Sequence, residues 1–307
     1  MKLRGYINLL EVRSKKPEVR KICFLFTVFC CSILCISSHG QDKFPQRIIS
    51  LGPSITEELY LLGVENKIVG VTTYCQRPPQ AQEIEKIGTV IEVNLEKVIS
   101  LQPNLVLATS LTNPKAKEKL KNLGIKVITF PSAKNFREIC EQFLELGKIV
   151  GREKEAEEIV YRAKKTVSSV KQKVKELPKP KVLVQVGAKP LWVAPKDSFV
   201  NDFIEIAGGI NVGPSGKNGL YSREKVLKQN PDVIIITTMG IAGEEEKKIW
   251  QKYKTLNAVR NNRIYIIDSY RLCSPTPVTF VETLKEIVKI LHPFVKEHQC
   301  TRTSEHQ

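Results

Sequence analysis

Hydrophobic and polar residues follow one another along this chain in a pattern that predicts strands and helices in turn. A buried strand at 48–51 leads into a turn at Gly52 and Pro53 and then into an apolar helical face. Ser54, with Glu57 three residues later, is a candidate capping box for that helix. Because strands and helices keep alternating, we predict an α/β fold with mostly parallel sheets. Ligands of such sheets bind beyond the carboxyl ends of the strands.

A seventeen-residue pattern occurs twice, at 94–110 and at 222–238. Each copy begins with a helix N-cap residue, Asn94 or Ser222, continues as a short amphipathic helix, and ends in an apolar strand after a proline. The two copies start 128 residues apart, and this repetition predicts two lobes of similar design with a cleft between them.

A third segment, between the two copies, is helical in pattern for some forty residues and stops before two prolines. We interpret it as one long helix that joins the lobes. The predicted division of the chain is a signal peptide at 1–40, an N-terminal lobe at 41–134, an interlobe helix at 135–178, and a C-terminal lobe with a polar tail at 179–307.

The N-terminal segment has the composition of an export signal. Residues 22–36 form an uncharged apolar run that follows two basic residues and precedes a small-x-small pattern at 38–40. This order is typical of a cleaved secretory signal peptide, with Gln41 as the first mature residue and the periplasm as the destination. An uncleaved membrane anchor is the alternative. A lipoprotein is disfavoured because the residues before Cys31 and Cys35 are not small.

Composition and motifs exclude several classes of function. The formal net charge is +16, but +5 of it lies in residues 1–40, and the remainder lacks interleaved aromatic residues, so nucleic acid is not expected as a partner. The four histidines lie outside the predicted strand-to-helix loops, which excludes a His-rich metal site in the cleft; the last three, His292, His298 and His306, are predicted to be solvated. Enzyme motifs such as a nucleophile elbow or a phosphate-binding loop are absent, so we predict neither catalytic residues nor a cofactor.

Two predicted loops that follow strands carry the same three chemical types: an aromatic ring, a thiol and a guanidinium group. Together with the large stacking surface of one tryptophan, they suit a large, flat, partly anionic ligand held between two lobes. Packing within the lobes is the alternative role for the aromatic residues. The predicted ligand-binding residues are Tyr74, Cys75, Arg77, Trp192, Tyr270, Arg271 and Ser274.

The cysteines leave more than one interpretation open. Outside the signal segment the chain has Cys75, Cys140, Cys273 and Cys300, too few for a disulfide framework. Cys75 and Cys273 fit three states: free buried thiols, axial metal ligands, or one bridge across the cleft. The second state would accompany a function of another class, that of an exported enzyme or chelatase acting on a tetrapyrrole.

Glu96 and Glu224 lie two places after the N-cap residue in the two copies of the repeat. A glutamate in the first turn ordinarily complements the helix dipole. Because this pair recurs at matched positions, we also predict that its carboxylates bind arginines of a two-fold symmetric partner.

Over residues 47–292 the chain resembles the periplasmic substrate-binding proteins of ABC importers for cobalamin, ferric siderophores and haem, and most closely the cobalamin-binding branch. The resemblance rests on RIISLGPSITEELYLLGVENKIVGVTTYC at 47–75, NLEKVISLQPNLVLA at 94–108, SREKVLKQNPDVIII at 222–236 and LNAVRNNRIYIID at 256–268.

This resemblance implies a monomer of two α/β lobes that tilt slightly around a bound corrinoid, with a ferric siderophore or haem as the alternative ligand. It also implies that Glu96 and Glu224 dock on arginines of a dimeric membrane permease. The chain departs from the cobalamin-binding branch at Val90, Arg77 and the glycine-rich run around Asn218, where that branch tends to place aromatic residues.

Overall fold

Four parallel strands form the sheet of the N-terminal lobe in this computed structural model, which describes residues 43–237 and 243–293. The strands lie in the order β2-β1-β3-β4, and all three pairings are parallel. The elements of this lobe are β1 (Ile48–Ser50), α1 (Pro53–Leu61), β2 (Ile68–Val71), α2 (Leu95–Ser100), β3 (Leu105–Thr109), α3 (Pro114–Asn122) and β4 (Val127–Phe130), with 3₁₀ turns at Glu65–Lys67 and Pro79–Glu83.

The first helix shows a small difference from the sequence prediction. Its N-cap is Gly52, which has no side chain to accept a hydrogen bond, and Pro53 is the first helical residue. The predicted capping box of Ser54 and Glu57 is therefore wrong. Proline supplies the start signal instead, because its fixed φ suits the first turn and its missing N–H is not needed there.

Two helices, not one, connect the lobes: α4 (Phe136–Val150) and α5 (Glu153–Val174). The prediction of a single helix over 135–178 is corrected by Gly151, which has a left-handed conformation with φ of 75° and ends α4. A Cβ at Gly151 would come within 2.7 Å of the Phe44 ring. The chain turns at this point because only glycine combines that backbone conformation with such close packing.

The C-terminal lobe repeats the plan of the first with additions. Its sheet has the order β6-β5-β8-β9, with β7 beside β5, and β6 is the antiparallel member. Its elements are β5 (Lys181–Ala188), β6 (Leu191–Val193), α6 (Phe199–Ile206), β7 (Ile210–Asn211), α7 (Arg223–Gln229), β8 (Val233–Thr237), α8 (Gly243–Gln251), α9 (Asn257–Arg260), β9 (Ile264–Ile267), α10 (Ser269–Cys273) and α11 (Pro277–Leu291).

The two copies of the repeat occupy equivalent places. In the first copy α2 leads into β3, and in the second α7 leads into β8; both strands are third in the order of their sheets. The predicted N-caps are present, since the side chain of Asn94 accepts a hydrogen bond from the Lys97 backbone N–H and that of Ser222 from Lys225. The prediction of α/β lobes with mostly parallel sheets is confirmed.

A hydrophobic core runs through both lobes, and each lobe has a smaller core of its own. The shared core joins Leu107 of β3, Phe143 of α4, Val160 of α5 and Val184 of β5 to Phe280 of α11, all of them buried. Burial of a side chain of this size contributes about 1.5–3 kcal/mol. His292, at the end of α11, belongs to this packed region: it is buried and its Nε2 lies 2.8 Å from the Ala207 carbonyl oxygen. The prediction that His292 is solvated was therefore wrong. The other predictions on His298, His306, Cys300 and the signal segment lie outside the described residues.

No helix in the described part of the chain is long and apolar enough to span a bilayer.

Candidate functional site

A cavity of about 190 Å³ lies between the carboxyl ends of the strands of the N-terminal lobe and the segment that joins α10 to α11 in the C-terminal lobe. The N-terminal lobe contributes the starts of the segments after β1, β3 and β4, and the C-terminal lobe contributes the segment after β9. The residues that line the cavity are Pro53, Ser54, Ile55, Glu58, Val90, Thr109, Ser110, Leu111, Phe130, Pro131, Ser132, Ala133, Ile139, Gln142, Phe199, Cys273, Ser274 and Pro275. This is the edge at which the sequence pattern predicts ligand binding.

Hydroxyl groups and apolar surface dominate the lining. The hydroxyls of Ser110 and Ser132, at the ends of β3 and β4, lie 2.7 Å apart. None of the described residues that line the cavity is lysine, arginine or histidine. The cavity therefore offers hydrogen-bonding groups without a positive charge.

Glu58 is the acidic residue of this lining. It lies on the buried face of α1, is 8% exposed, and forms no hydrogen bond or ion pair with another described residue. Burial raises the pKa of its carboxyl group well above the ordinary value, and the neighbouring Glu57 raises it further. Sequence reasoning missed this residue, although a glutamate on the apolar face of a predicted helix was a signal that deserved a test.

Ser274 is the predicted ligand-binding residue that lines the cavity, and Cys273 lies beside it. Burial raises the pKa of the Cys273 thiol to about 12. A thiol with that pKa is protonated at neutral pH and is a poor nucleophile. Cys75 and Cys273 are both free, so the interpretation as a bridge across the cleft is wrong.

In the loop after β2, one of the predicted ligand-binding residues is exposed and the next is buried. Tyr74 is exposed, at 52%, but Cys75 is completely buried, and its sulfur lies 3.1 Å from the Thr56 hydroxyl and 3.2 Å from that of Thr72. In this conformation Cys75 has no surface to offer a ligand.

Arg77 and Tyr270 contact each other, one from each lobe. The Arg77 guanidinium lies over the Tyr270 ring, 5.3 Å from its centroid, and also pairs with Glu57 at 3.4 Å. Arg271 is likewise paired, with Glu286 at 2.8 Å. Both arginines predicted to meet anionic groups of a ligand thus already have carboxylate partners within the protein.

Trp192 lies on β6, and 39% of its side chain is exposed. Its neighbours are Gly187 of β5 and the segment at Gly219 and Leu220. A Cβ at Gly219 would lie 2.3 Å from the Trp192 Nε1, so glycine is required for this close approach. The ring is accessible, but it is not part of the cavity lining.

The two matched glutamates lie on the surface. Glu96 is in the first turn of α2, Glu224 is in the first turn of α7, and both are exposed. Hydrogen bonds from its own backbone N–H and from the Ser222 hydroxyl lower the pKa of Glu224, so this carboxylate stays ionised below neutral pH. Both helix N-termini are rigidly capped and carry an outward negative charge.

A buried polar network anchors α7 but has no equivalent beneath α2 in the described residues. The Glu246 carboxylate accepts hydrogen bonds of 2.8 Å from both Arg223 and Gln185, and the Gln185 side-chain oxygen accepts one of 2.6 Å from Trp250. Arg223 also lies 4.5 Å from the centroid of the Trp250 ring. On α2 the residue in the place of Arg223 is Leu95, which packs against the apolar core of its lobe.

Comparison with known proteins gives a consistent result. The model of the periplasmic binding protein family matches residues 48–271. An uncharacterized ABC transporter substrate-binding lipoprotein of Bacillus subtilis is 32% identical over 305 residues, which cover 95% of this chain and 93% of that relative.

Solved structures agree with the fold. The periplasmic vitamin B12 binding protein of Vibrio cholerae superposes with a TM-score of 0.70 at 25% identity, covering 81% of this chain and 97% of that one. A possible iron-binding periplasmic solute-binding protein of Staphylococcus epidermidis superposes with a TM-score of 0.72 at 32% identity, covering 81% of this chain and 100% of that one.

Proposed function

The chain belongs to the periplasmic binding protein family, and we propose that it captures cobalamin or a related corrinoid in the cleft between its lobes and delivers it to an ABC importer. It is a substrate-binding protein of the ABC importer class, whose members bind and present ligands and are not enzymes. The observation that carries the proposal is the cavity lined by residues of both lobes, combined with a matched pair of exposed glutamates.

The chemistry of the cavity supports a corrinoid over an anionic ligand. Its described lining has hydroxyl groups, one amide, one carboxyl group, one thiol and apolar surface but no cationic side chain. Arg77 and Arg271 are paired with Glu57 and Glu286. A corrinoid presents neutral amides on an apolar macrocycle, which suits such a lining. At about 190 Å³ the cavity is smaller than the roughly 300–1,000 Å³ of typical ligand sites, so binding requires the lobes to separate further.

A ferric siderophore is the second candidate, because the Staphylococcus epidermidis relative is described as a possible iron-binding protein. Haem is the third candidate ligand, and it would leave the protein a substrate-binding protein of an ABC importer. Under these alternatives Arg77 or Arg271 would exchange its internal carboxylate for one from the ligand. An enzymatic role receives no support from the Cys273 thiol, whose pKa of about 12 keeps it protonated.

Docking on the importer is assigned to Glu96 and Glu224 in this proposal. Their carboxylates lie at equivalent places of the two lobes and suit arginines on the two halves of a permease dimer. We propose that one monomer acts alone, that residues 1–40 direct its export to the periplasm, and that cleavage leaves Gln41 as the first residue. A lipid anchor, as named for the Bacillus subtilis relative, is the alternative arrangement at that end.

Titration of the purified protein with cyanocobalamin, cobinamide, haem and ferric siderophores tests the proposal. We expect one of the two corrinoids to bind most tightly by calorimetry and to shift its absorption spectrum. Tighter binding of a ferric siderophore or haem would identify that compound class, instead of the corrinoids, as the ligand. Failure of all four classes to bind would contradict the proposal.

A further inference from the structure

Glu58 is a buried carboxyl group without a hydrogen-bond or ion-pair partner among the described residues. It is more than nine-tenths buried, and it lines the cavity between the lobes. An unpaired buried carboxyl group costs stability, so most buried glutamates in folded proteins are paired. A cost of this kind is retained where the missing partner arrives from outside.

The charges around Glu58 do not supply that partner. The titratable groups that face it are Glu57 on its own helix and the Cys140 thiol on α4, and the pKa of that thiol is raised to about 12 by burial and, more weakly, by Glu58 itself. Arg77, the arginine that approaches α1, is paired with Glu57. No basic residue occurs among the described residues that line the cavity.

We propose that Glu58 is a specificity-determining residue of the cleft, where it forms paired hydrogen bonds with an amide group of the ligand and selects amide-bearing ligands over carboxylate-bearing ones. This inference rests on the proposed function and narrows its ligand class. A protonated carboxyl group has one O–H donor and one carbonyl acceptor, which match the C=O and N–H of a primary amide. Burial favours that protonated form when the cavity is empty.

The same geometry disfavours anionic ligands. A carboxylate would be repelled by ionised Glu58. With protonated Glu58 it would form one hydrogen bond instead of the two that an amide forms, in a described lining without a compensating cation. A corrinoid has amide side chains on its periphery, whereas haem has two propionates and ferric citrate has several carboxylates. Among the candidate ligands, the corrinoids are the class that fits Glu58.

Three proteins test the role of Glu58: the wild type, Glu58→Gln and Glu58→Leu. Each is titrated at neutral pH with cyanocobalamin, cobinamide, haem and ferric citrate. We expect Glu58→Leu to weaken corrinoid binding by about tenfold or more, because it removes both hydrogen bonds. Glu58→Gln keeps one donor and one acceptor, so its affinity is expected to stay within about threefold of the wild type. Glu118→Gln, on the exposed surface of α3, is the matched control and leaves binding unchanged.

The outcomes separate this inference from the proposed function. Unchanged corrinoid affinity in Glu58→Leu, with its fold verified by thermal unfolding, would overturn the role of Glu58 and leave the corrinoid function standing. Tighter binding of haem or ferric citrate than of corrinoids by the wild type would overturn the inference and move the function to the alternative ligands. If the wild type binds none of the four probes, the proposed function fails and the inference fails with it. A gain of haem or citrate binding in Glu58→Leu would support selection against carboxylates.

Discussion

The two lobes have matching glutamates on their surfaces and contrasting glutamates in their interiors. Glu96 and Glu224 share their place in the helix and their exposure. Inside, Glu246 is 4% exposed and accepts hydrogen bonds from two side chains, one of them Arg223, whereas Glu58 is 8% exposed and accepts none from the described residues. The difference teaches that a buried carboxylate satisfied from within maintains structure, and that an unsatisfied one beside a cavity is available for binding.

Replacement of both surface glutamates, Glu96→Ala with Glu224→Ala, is expected to have the largest effect. Loss of both outward charges should lower ligand uptake through the importer by at least about tenfold, because each lobe would lose the contact with permease arginines that we propose. Ligand affinity of the purified protein should not change. Calorimetry and transport assays on the same double variant check this, with Glu118→Ala and Glu245→Ala, one exposed glutamate of each lobe, as the control pair. A loss of ligand affinity would contradict the docking role and indicate that Glu96 and Glu224 contribute to ligand binding.

Replacement of the satisfied interior glutamate, Glu246→Leu, is expected to destabilise the protein by about 3–5 kcal/mol. The change leaves the partly buried Arg223 guanidinium without its carboxylate and removes the acceptor of the buried Gln185 amide. Urea denaturation measures the free energy of unfolding. The neighbouring Glu245→Leu, at an exposed site, should stay within about 0.5 kcal/mol of the wild type. A loss below about 1 kcal/mol for Glu246→Leu would mean that the network does not hold α7 in place.

Replacement of the unpaired interior glutamate, Glu58→Leu, should stabilise the protein, and the change in the free energy of unfolding should be smaller than for Glu246→Leu. The pKa of Glu58 is raised in the folded protein, so the stability linked to its protonation is present below its ordinary pKa and is lost as the pH rises toward the raised value. The variant should therefore gain about 1–3 kcal/mol over the wild type at pH 8 and much less at pH 4.5. Denaturation curves at both pH values check this. A gain that is equal at both would show that protonation of Glu58 is not involved.

Much of the fold was readable from the sequence because its signals are local. The caps Asn94 and Ser222 act within three residues of their own position, and the apolar strands that follow are buried in their sheets, so the repeat was correctly read as two lobes. The prediction of a single interlobe helix failed because Gly151 takes the left-handed conformation that ends α4, while the apolar periodicity resumes in α5. Periodicity alone does not show whether a glycine continues a helix or ends it.

The cavity was predicted less well than the scaffold. The sequence located the carboxyl edge of the sheets and Ser274, but it could not tell that Arg77 and Arg271 each have a carboxylate partner, since Glu57 and Glu286 are brought to them by packing. Residue type shows what a side chain is able to bind. Which partner it meets depends on distances that arise only in the folded chain.

The hydrophobic core that continues from one lobe through α4 and α5 to the other has a practical consequence. Because α4 and α5 pack against both lobes in this core, loss of either lobe would expose apolar surface of the other, and we expect heat to unfold the protein in one cooperative transition. Any compound that binds the folded form then raises the midpoint of that transition, by an amount equivalent to about 2.7 kcal/mol at a hundred times its dissociation constant. A rise in melting temperature therefore reports binding of any compound to the folded protein, so that a broad compound library can be screened for the ligand.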